Sequence, residues 1–285
     1  MQISEASIRS ILTRTSGYLK GIASHSLQPY RGCSFGNALC GVGCYVQHNG
    51  LLTRGAPWGS FLEARVNAAE LYRAQFAREQ RFARRAGGAF SIFLSSATDP
   101  FVPQERRFRI TARVFDAMIE APPDILIVQT HSDGVLDALP RLRRLSAHCA
   151  LRVHISIESD RDRLPGLPRP ACSVARRLDA ALELKRARIR TVITVAPLLP
   201  IADPGAFFAR LAEVADAVVI DHFIEGDGSP DGTRTARTGL PAAMRAVAPE
   251  SIQLAYRERM LDIARQVMPG RVGVGRGGFG GHFGA

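Results

Sequence analysis

The chain has 285 residues, 46% hydrophobic and 22% charged, a composition typical of a globular protein that can bury a sizeable core. No run approaches the ~18 apolar residues of a membrane span, and residues 1–10 lack a signal-peptide core, so we expect a cytoplasmic protein with no membrane contact. The net charge of +11 comes mostly from arginine and indicates an acidic partner such as nucleic acid, an anionic substrate, or simply a solvated arginine-rich surface.

Short β-rich runs alternate with longer helical patterns, which is typical of βα units around a parallel sheet. Strands are predicted at residues 24–29, 89–95, 124–130, 151–158, 189–196 and 216–221. Helices are predicted at residues 59–81, 103–120, 173–186, 205–215 and 251–267, with another that ends at residue 145. Eight repeats would close a full barrel. The six found here predict an α/β fold, a partial (βα)6 TIM-like barrel with its chemistry at the carboxyl ends of the strands.

Domain organisation follows from the same pattern. Residues 1–270 are predicted to form a single barrel domain that includes a cysteine-containing loop at residues 30–48. Residues 271–285 form a glycine-rich tail, for which we expect either a flexible end or a segment folded over the barrel mouth, because glycine disfavours regular structure.

Three of the five cysteines lie close together, at Cys33, Cys40 and Cys44, in a loop rich in glycine. Thiolates are soft ligands that select iron–sulfur clusters or zinc, and glycine lets the backbone wrap closely around a metal centre. Three thiolates leave one iron of a four-iron cluster open to a substrate or cofactor. Two alternatives remain: zinc completed by His48, and buried thiols with no metal.

Several segments, in order along the predicted strands, resemble the radical S-adenosylmethionine (SAM) superfamily, in particular the branch that contains spore photoproduct lyase. The resemblance extends over most of residues 27–200. It rests on residues 27–33 at the entry to the cysteine loop, and on residues 95–100, 104–106, 128–131, 154–157 and 195–198 near the ends of later strands.

The resemblance implies a [4Fe–4S] cluster held by Cys33, Cys40 and Cys44, whose open iron chelates the amine and carboxylate of SAM. An external reductant such as flavodoxin or ferredoxin would supply one electron to cleave SAM. The resulting 5′-deoxyadenosyl radical would abstract hydrogen from an unidentified small-molecule or nucleic-acid substrate. In such enzymes the protein supplies binding and orientation while the cofactors carry the hard chemistry.

Individual site residues are carried over from the family's pattern. His131 falls where the lyase has a lysine for the SAM carboxylate, and Ser156 matches a serine that contacts the methionyl group. Glu158 and Cys172 are the catalytic candidates. Glu158 would reach the ribose or the substrate, or else be a surface carboxylate paired with a nearby arginine. Cys172 is a candidate because its loop follows the fourth strand and faces the catalytic end, where it would donate hydrogen or act as a redox thiol. The residues expected to bind the cofactor are Tyr45, Ser96, Thr98, Asp99, His131 and Ser156.

Two departures separate the chain from this pattern. The cysteines are spaced by six and then three residues, where the family has three and then two. The longer loop leaves open an altered SAM pose with cleavage of a different C–S bond, or the loss of the cluster. Ser96 also stands where the DNA-repair lyase has its hydrogen-donor cysteine, which argues against thymine-dimer repair.

Three functional hypotheses follow. The first is a radical SAM enzyme acting on an unidentified substrate. The second is a nucleic-acid lyase or modifying enzyme, and the third a non-catalytic metal- or nucleic-acid-binding protein on a degenerate fold of this type. Of the remaining candidates, Cys149 is expected in the core, while His222, Glu225 and Asp227 form either a substrate-binding group at the barrel mouth or a solvated loop.

Overall fold

The computed structural model describes residues 1–284, so Ala285, the last residue of the predicted tail, lies outside the described part. The strands form one eight-stranded sheet and one three-stranded sheet. They are β1 (Gln2–Ala6), β2 (Leu12–Arg14), β3 (His25–Leu27), β4 (Tyr30–Gly32), β5 (Phe61–Arg65), β6 (Ser91–Leu94), β7 (Ile125–Thr130), β8 (Ala150–Ser156), β9 (Thr191–Val195), β10 (Ala217–Ile220) and β11 (Val272–Val274).

The helices of residues 1–284 include none long and apolar enough to cross a membrane. They are α1 (Leu39–Val42), α2 (Gly50–Thr53), α3 (Ala68–Arg85), α4 (Glu105–Phe108), α5 (Ile110–Glu120), α6 (Leu139–Ser146), α7 (Val174–Arg186), α8 (Pro204–Val214), α9 (Phe223–Gly226), α10 (Thr233–Ala236), α11 (Leu240–Val247), α12 (Leu254–Val267) and α13 (Gly275–Gly280). Short 3-10 segments cover Gly17–Leu19, Tyr45–His48, Asp133–Ala138 and Pro249–Ile252.

The large sheet has the order β11-β10-β9-β8-β7-β6-β3-β2, and every neighbouring pair in it is parallel except β2 with β3. Its strands include all six that the sequence predicts, each separated from the next by helical segments. The predicted α/β fold, a partial TIM-like barrel, is therefore confirmed. The sequence pattern missed β11, a further parallel strand beyond β10.

The central strands of the large sheet, β6 to β10, are mostly buried on both faces, as parallel strands covered by crossover helices must be. Leu126 and Val128 of β7 belong to the outer core under the helices, whereas Ile127 points into the barrel with Phe93. This alternation follows from the two-residue period of a strand. Because these strands run parallel, the polar residues that follow their carboxyl ends lie at one edge of the barrel.

The glycine-rich tail forms regular structure packed against the barrel, so the expectation of a flexible end is wrong for residues 271–284. Residues 272–274 form β11, and the Phe279 ring from α13 is buried in the interior cluster. Its ring centroid lies 6.3 Å from that of Tyr18, which precedes β3. Glycine is required by close packing, because a Cβ on Gly273 would lie 2.6 Å from the Cα of Gly278.

The helix predicted at residues 59–81 is partly wrong, because its first residues form β5. Phe61 and Ala64 have helical spacing, but this segment pairs with β1 in parallel and with β4 in antiparallel register. The resulting order β1-β5-β4 is a separate small sheet that local periodicity does not reveal. It positions the site, since β4 ends at Gly32, directly before the first cysteine.

Candidate functional site

The cysteine loop, residues 30–48, lies against the carboxyl end of β6. The Tyr45 hydroxyl donates a hydrogen bond of 2.8 Å to the carbonyl oxygen of Ser96, two residues beyond that strand. The backbone amide of Asp99 contacts the Cys33 thiol. The loop therefore sits at the edge of the sheet where a parallel barrel places its chemistry.

Of the three thiols of the loop, Cys33 is buried and Cys40 and Cys44 are half-buried. Burial raises the pKa of Cys33 to about 12 and that of Cys44 to about 11. The pKa of Cys40 is raised by burial and further by the negative charges that Cys33 and Cys44 would carry. Without a cation the thiols are neutral at pH 7, so a metal must displace their protons on binding.

The loop is held tight by glycines at points where its backbone segments touch. A Cβ on Gly41 would lie 2.1 Å from the carbonyl oxygen of Gly36, and one on Gly36 would lie 2.5 Å from the Gly59 backbone. Only glycine allows such approaches, which bring the short helix that carries Cys40 back over the start of the loop.

The donor set of the loop fits a soft metal centre, because thiolates are the ligands that iron–sulfur clusters and zinc select. Within residues 1–284, however, no three His, Cys, Asp or Glu side chains already form a group that could hold a metal ion. His48 is exposed, and nothing in the structure places it with the thiols. A metal centre would therefore draw the thiols of Cys33, Cys40 and Cys44 closer together.

The residues that follow β6 are fixed by hydrogen bonds to their neighbours. The Gln28 side-chain amide donates a hydrogen bond of 2.8 Å to the Ser96 hydroxyl. Thr98, two residues after Ser96, is buried. The Asp99 carboxylate accepts from the Thr130 hydroxyl at 2.9 Å and from the backbone amide of His131 at 2.6 Å. Asp99 thus ties the end of β6 to the end of β7, and burial raises its pKa.

A buried ion pair forms the centre of the site. Glu158, after β8, lies 2.8 Å from the Arg177 guanidinium of α7 and 3.1 Å from His131 Nε2. Burial would raise the pKa of Glu158, but the Arg177 charge and His131 outweigh it and hold the pKa well below its usual range. Glu158 is therefore a buried anion that is hydrogen-bonded to Arg177 through one oxygen and lies near His131 through the other.

Arg177 is the functional residue that the sequence prediction missed. It also donates to the carbonyl oxygen of Ser156, and its side chain is only 3% exposed. A signal was present in the sequence, because Arg177 occupies the stripe of α7 that is otherwise apolar, with Val174, Ala180 and Leu184. An arginine at a core-facing helical position needs a buried acidic partner.

Polar side chains from three neighbouring strands line the barrel interior beneath the ion pair. The Gln129 amide donates to the Ser156 hydroxyl at 2.6 Å and to the Thr194 hydroxyl at 2.9 Å. The Gln129 carbonyl oxygen is buried without a hydrogen-bond partner, as is the Ser95 hydroxyl at the end of β6. Such an atom can accept a hydrogen bond from a ligand or a water molecule, or donate one to it.

Cys172 reaches the same site from the long loop after β8. It is buried and donates to the Asp133 carboxylate at 3.5 Å, and burial raises the pKa of its thiol. A cavity of about 30 Å³ is lined by Cys40, Cys172 and the ion pair, together with His131. Glu158 and Cys172, the two predicted catalytic residues, therefore line the same cavity as Cys40, a predicted cluster ligand.

Comparison with solved structures identifies the architecture. Two variants of spore photoproduct lyase each match 95% of this chain. The first, a cysteine-to-alanine variant with a dinucleoside spore photoproduct, is 17% identical, has a TM-score of 0.62 and is matched over 80% of its own chain. The second, a cysteine-to-serine variant, is 17% identical, has a TM-score of 0.60 and is matched over 81% of its own chain. The chain has the fold of spore photoproduct lyase. No protein-family profile and no curated protein sequence matches it.

The spore photoproduct lyase fold explains which predicted residues come together, since they follow the first four strands of the barrel. Two other candidates lie outside that group. Cys149 donates to the carbonyl oxygen of Leu145 at 3.3 Å, before β8 begins. His222 is buried and caps α9, with its ring nitrogens 2.9 Å from the Ser251 carbonyl oxygen and 3.1 Å from the Ile224 amide.

Proposed function

We propose that this chain is a radical SAM enzyme that acts on an unidentified substrate. The observation that supports the proposal best is that Cys40 of the cysteine loop lines one cavity with the buried Glu158–Arg177 pair at the carboxyl edge of a barrel. The fold alone does not establish an activity, because one fold serves many reactions. The chemistry of these side chains carries the argument.

Cys33, Cys40 and Cys44 would hold a [4Fe–4S] cluster, in keeping with their softness as ligands. When bound, the cluster and SAM would supply the electron transfer and the radical that begins the reaction. The protein would bury both, exclude water and orient them. The thiols lose their protons on binding, so metal uptake should be favoured by higher pH.

The SAM side of the site would be formed by residues that the structure gathers around the loop and strand ends. Tyr45 already bridges the loop to β6, and Asp99 fixes the backbone from which His131 extends. The unsatisfied Gln129 oxygen lies beside Ser156 and offers an acceptor. The proposed SAM-binding residues are Tyr45, Ser96, Thr98, Asp99, His131 and Ser156.

Glu158 and Cys172 are the proposed groups for the substrate. Glu158 is a fixed anion and would accept hydrogen bonds from hydroxyls of the ribose or the substrate. Cys172 keeps its S–H hydrogen and lies on the wall of the same cavity, where it would donate a hydrogen atom to a substrate radical. The free thiols fit a reducing compartment, and we propose the cytoplasm.

Metal content and SAM cleavage test the proposal together. Anaerobically purified protein is expected to hold about four irons and four sulfides per chain and, with dithionite as reductant, to release 5′-deoxyadenosine from SAM. Cys40→Ala should lose iron and this activity, whereas the matched control Cys149→Ala should keep both. Zinc in place of iron, with SAM left intact, would favour a non-catalytic metal-binding protein.

A nucleic-acid lyase is the second candidate. It is favoured by the net charge of +11 and by the neighbouring lyase structure that carries a dinucleoside spore photoproduct. If it is correct, single-stranded DNA or RNA should bind with an affinity that falls linearly with salt on logarithmic axes, because phosphate contacts release counterions. Affinity that does not respond to salt would remove this candidate.

A further inference from the structure

A cleft of about 420 Å³ lies beside the small cavity that contains Cys40, and residues 171–172 line both spaces. The cleft is large enough for a small molecule, since ligand sites usually measure about 300–1,000 Å³. It is lined by none of the residues proposed for the cluster or for SAM, but by Cys172, the proposed hydrogen donor. We propose that this cleft binds the substrate, a small molecule with an apolar body and one anionic group, and this inference rests on the proposed function.

The floor of the cleft is apolar, which favours a ligand with an apolar body. Phe35, Phe101 and Val102 line it and are all buried. Phe35 belongs to the cysteine loop, two residues after Cys33, so a ligand on this floor contacts the loop itself. A flat apolar body placed here would extend toward Cys172, whose thiol stands at the boundary with the inner cavity.

The charged side chains around the cleft favour a ligand with one anionic group. Four arginines line it, and three of them are each paired with a carboxylate. Among the residues that the structure describes, Arg109 alone of the four has no carboxylate within ion-pair distance. The pairs are Arg106–Asp137 at 3.0 Å, Arg141–Asp116 at 2.8 Å and Arg176–Asp133 at 2.5 Å.

The last lining carboxylate, Glu105, does not neutralise Arg109. It accepts hydrogen bonds from the backbone amides of Thr111 and Ala112 at 3.0 and 2.9 Å and from the Tyr30 hydroxyl. The cleft therefore has one exposed guanidinium left over, which matches one phosphate or carboxylate group on a ligand.

The test uses 1-naphthyl phosphate as an anionic aromatic probe and 1-naphthol as its neutral counterpart, with binding measured by fluorescence on anaerobic protein. We expect the phosphate to bind about tenfold more tightly than the alcohol. Arg109→Asn should remove that advantage. Asparagine suits the position because the φ of Arg109 is +53°. The control Arg143→Gln removes an exposed charge of α6 outside the cleft and should change affinity less than twofold.

Ala112→Leu narrows the cleft and should weaken the binding of both probes, with the fold checked by thermal melting. Phosphate binding that is unchanged in Arg109→Asn would overturn the assignment of the anionic group, and binding unchanged in Ala112→Leu would place the ligand elsewhere. If a short oligothymidylate binds more tightly than 1-naphthyl phosphate and this binding depends on Arg109, the proposed ligand is a nucleic acid and not a small molecule. The assay contains no SAM, so its failure is distinguishable from a failure to release 5′-deoxyadenosine.

Discussion

The buried ion pair between Arg177 and Glu158 holds the candidate site together, and Arg177→Met tests that role. The two side chains are 3% and 8% exposed and lie 2.8 Å apart. Removing one partner of a buried pair costs about 3–5 kcal/mol, because the other charge is left buried without compensation. His131 stays 3.1 Å from Glu158, so we expect the lower end of that range, a loss of about 3 kcal/mol in the free energy of unfolding.

Urea denaturation followed by circular dichroism measures this loss, and Tm should fall by roughly 6–12 °C. The matched control is Arg176→Met, since Arg176 is the preceding arginine on the same helix but is 63% exposed in its pair with Asp133. That substitution should cost no more than about 1 kcal/mol. The double variant Arg177→Met/Glu158→Gln removes both charges and should recover at least half of the loss.

A different outcome would refute the reasoning. If Arg177→Met costs less than about 1 kcal/mol, or if adding Glu158→Gln recovers nothing, the Glu158 charge is solvated or compensated elsewhere. The pair would then not be the support of the site. Iron content of the single variants, measured beside stability, separates a structural role from a direct effect on metal binding.

Three further substitutions test the loop, the tail and the barrel interior. Gly41→Ala should displace the cysteine loop and lower the iron content by more than half, whereas Gly50→Ala, which has open space around it, should not. Gly281→Ala should destabilise the protein by about 1–3 kcal/mol in thermal melting, because φ is +95° and a guanidinium lies 1.5 Å from the new Cβ; Gly284→Ala should be neutral. Burial lowers the pKa of His154 to about 3, so the unfolded chain binds its proton first as pH falls below about 6.5. When the pH falls from 6 to 5, the free energy of unfolding of the wild type should therefore decrease by about 1 kcal/mol more than that of His154→Phe. Denaturation at each pH measures both decreases. Equal decreases would mean that His154 is in contact with water.

The strands of the barrel were predictable because of where they lie. A parallel strand buried on both faces is a continuous apolar run, as in β10 and the first four residues of β7, and such runs stand out in a sequence. β5 and β11 were not predictable by the same means. β5 has a helical spacing of apolar residues, and β11 has three residues in a glycine-rich segment, so both depend on pairing with distant strands.

The candidate site was located by two kinds of signal. The spacing of the cysteines pointed to Cys33, and the family resemblance pointed to Ser96 and His131, which follow strands of the parallel sheet. The partners of these residues depend on loop backbone that the sequence does not specify. Asp99 is an example, because its carboxylate binds Thr130 and a backbone amide and does not point freely into the site.

The position of Cys172 connects the two departures from the family pattern. Ser96, which the sequence resemblance aligns with the donor cysteine of the lyase, is held by a hydrogen bond from Gln28, and its hydroxyl is a poor hydrogen-atom donor. Of the two cysteines outside the proposed cluster, Cys149 lies before β8, whereas Cys172 lines both the inner cavity and the outer cleft. Under the proposed function the donor thiol has therefore moved from the end of the second barrel strand to the loop after the fourth. A substrate bound in the cleft would then meet its proposed hydrogen donor, Cys172, on the side facing the cysteine loop.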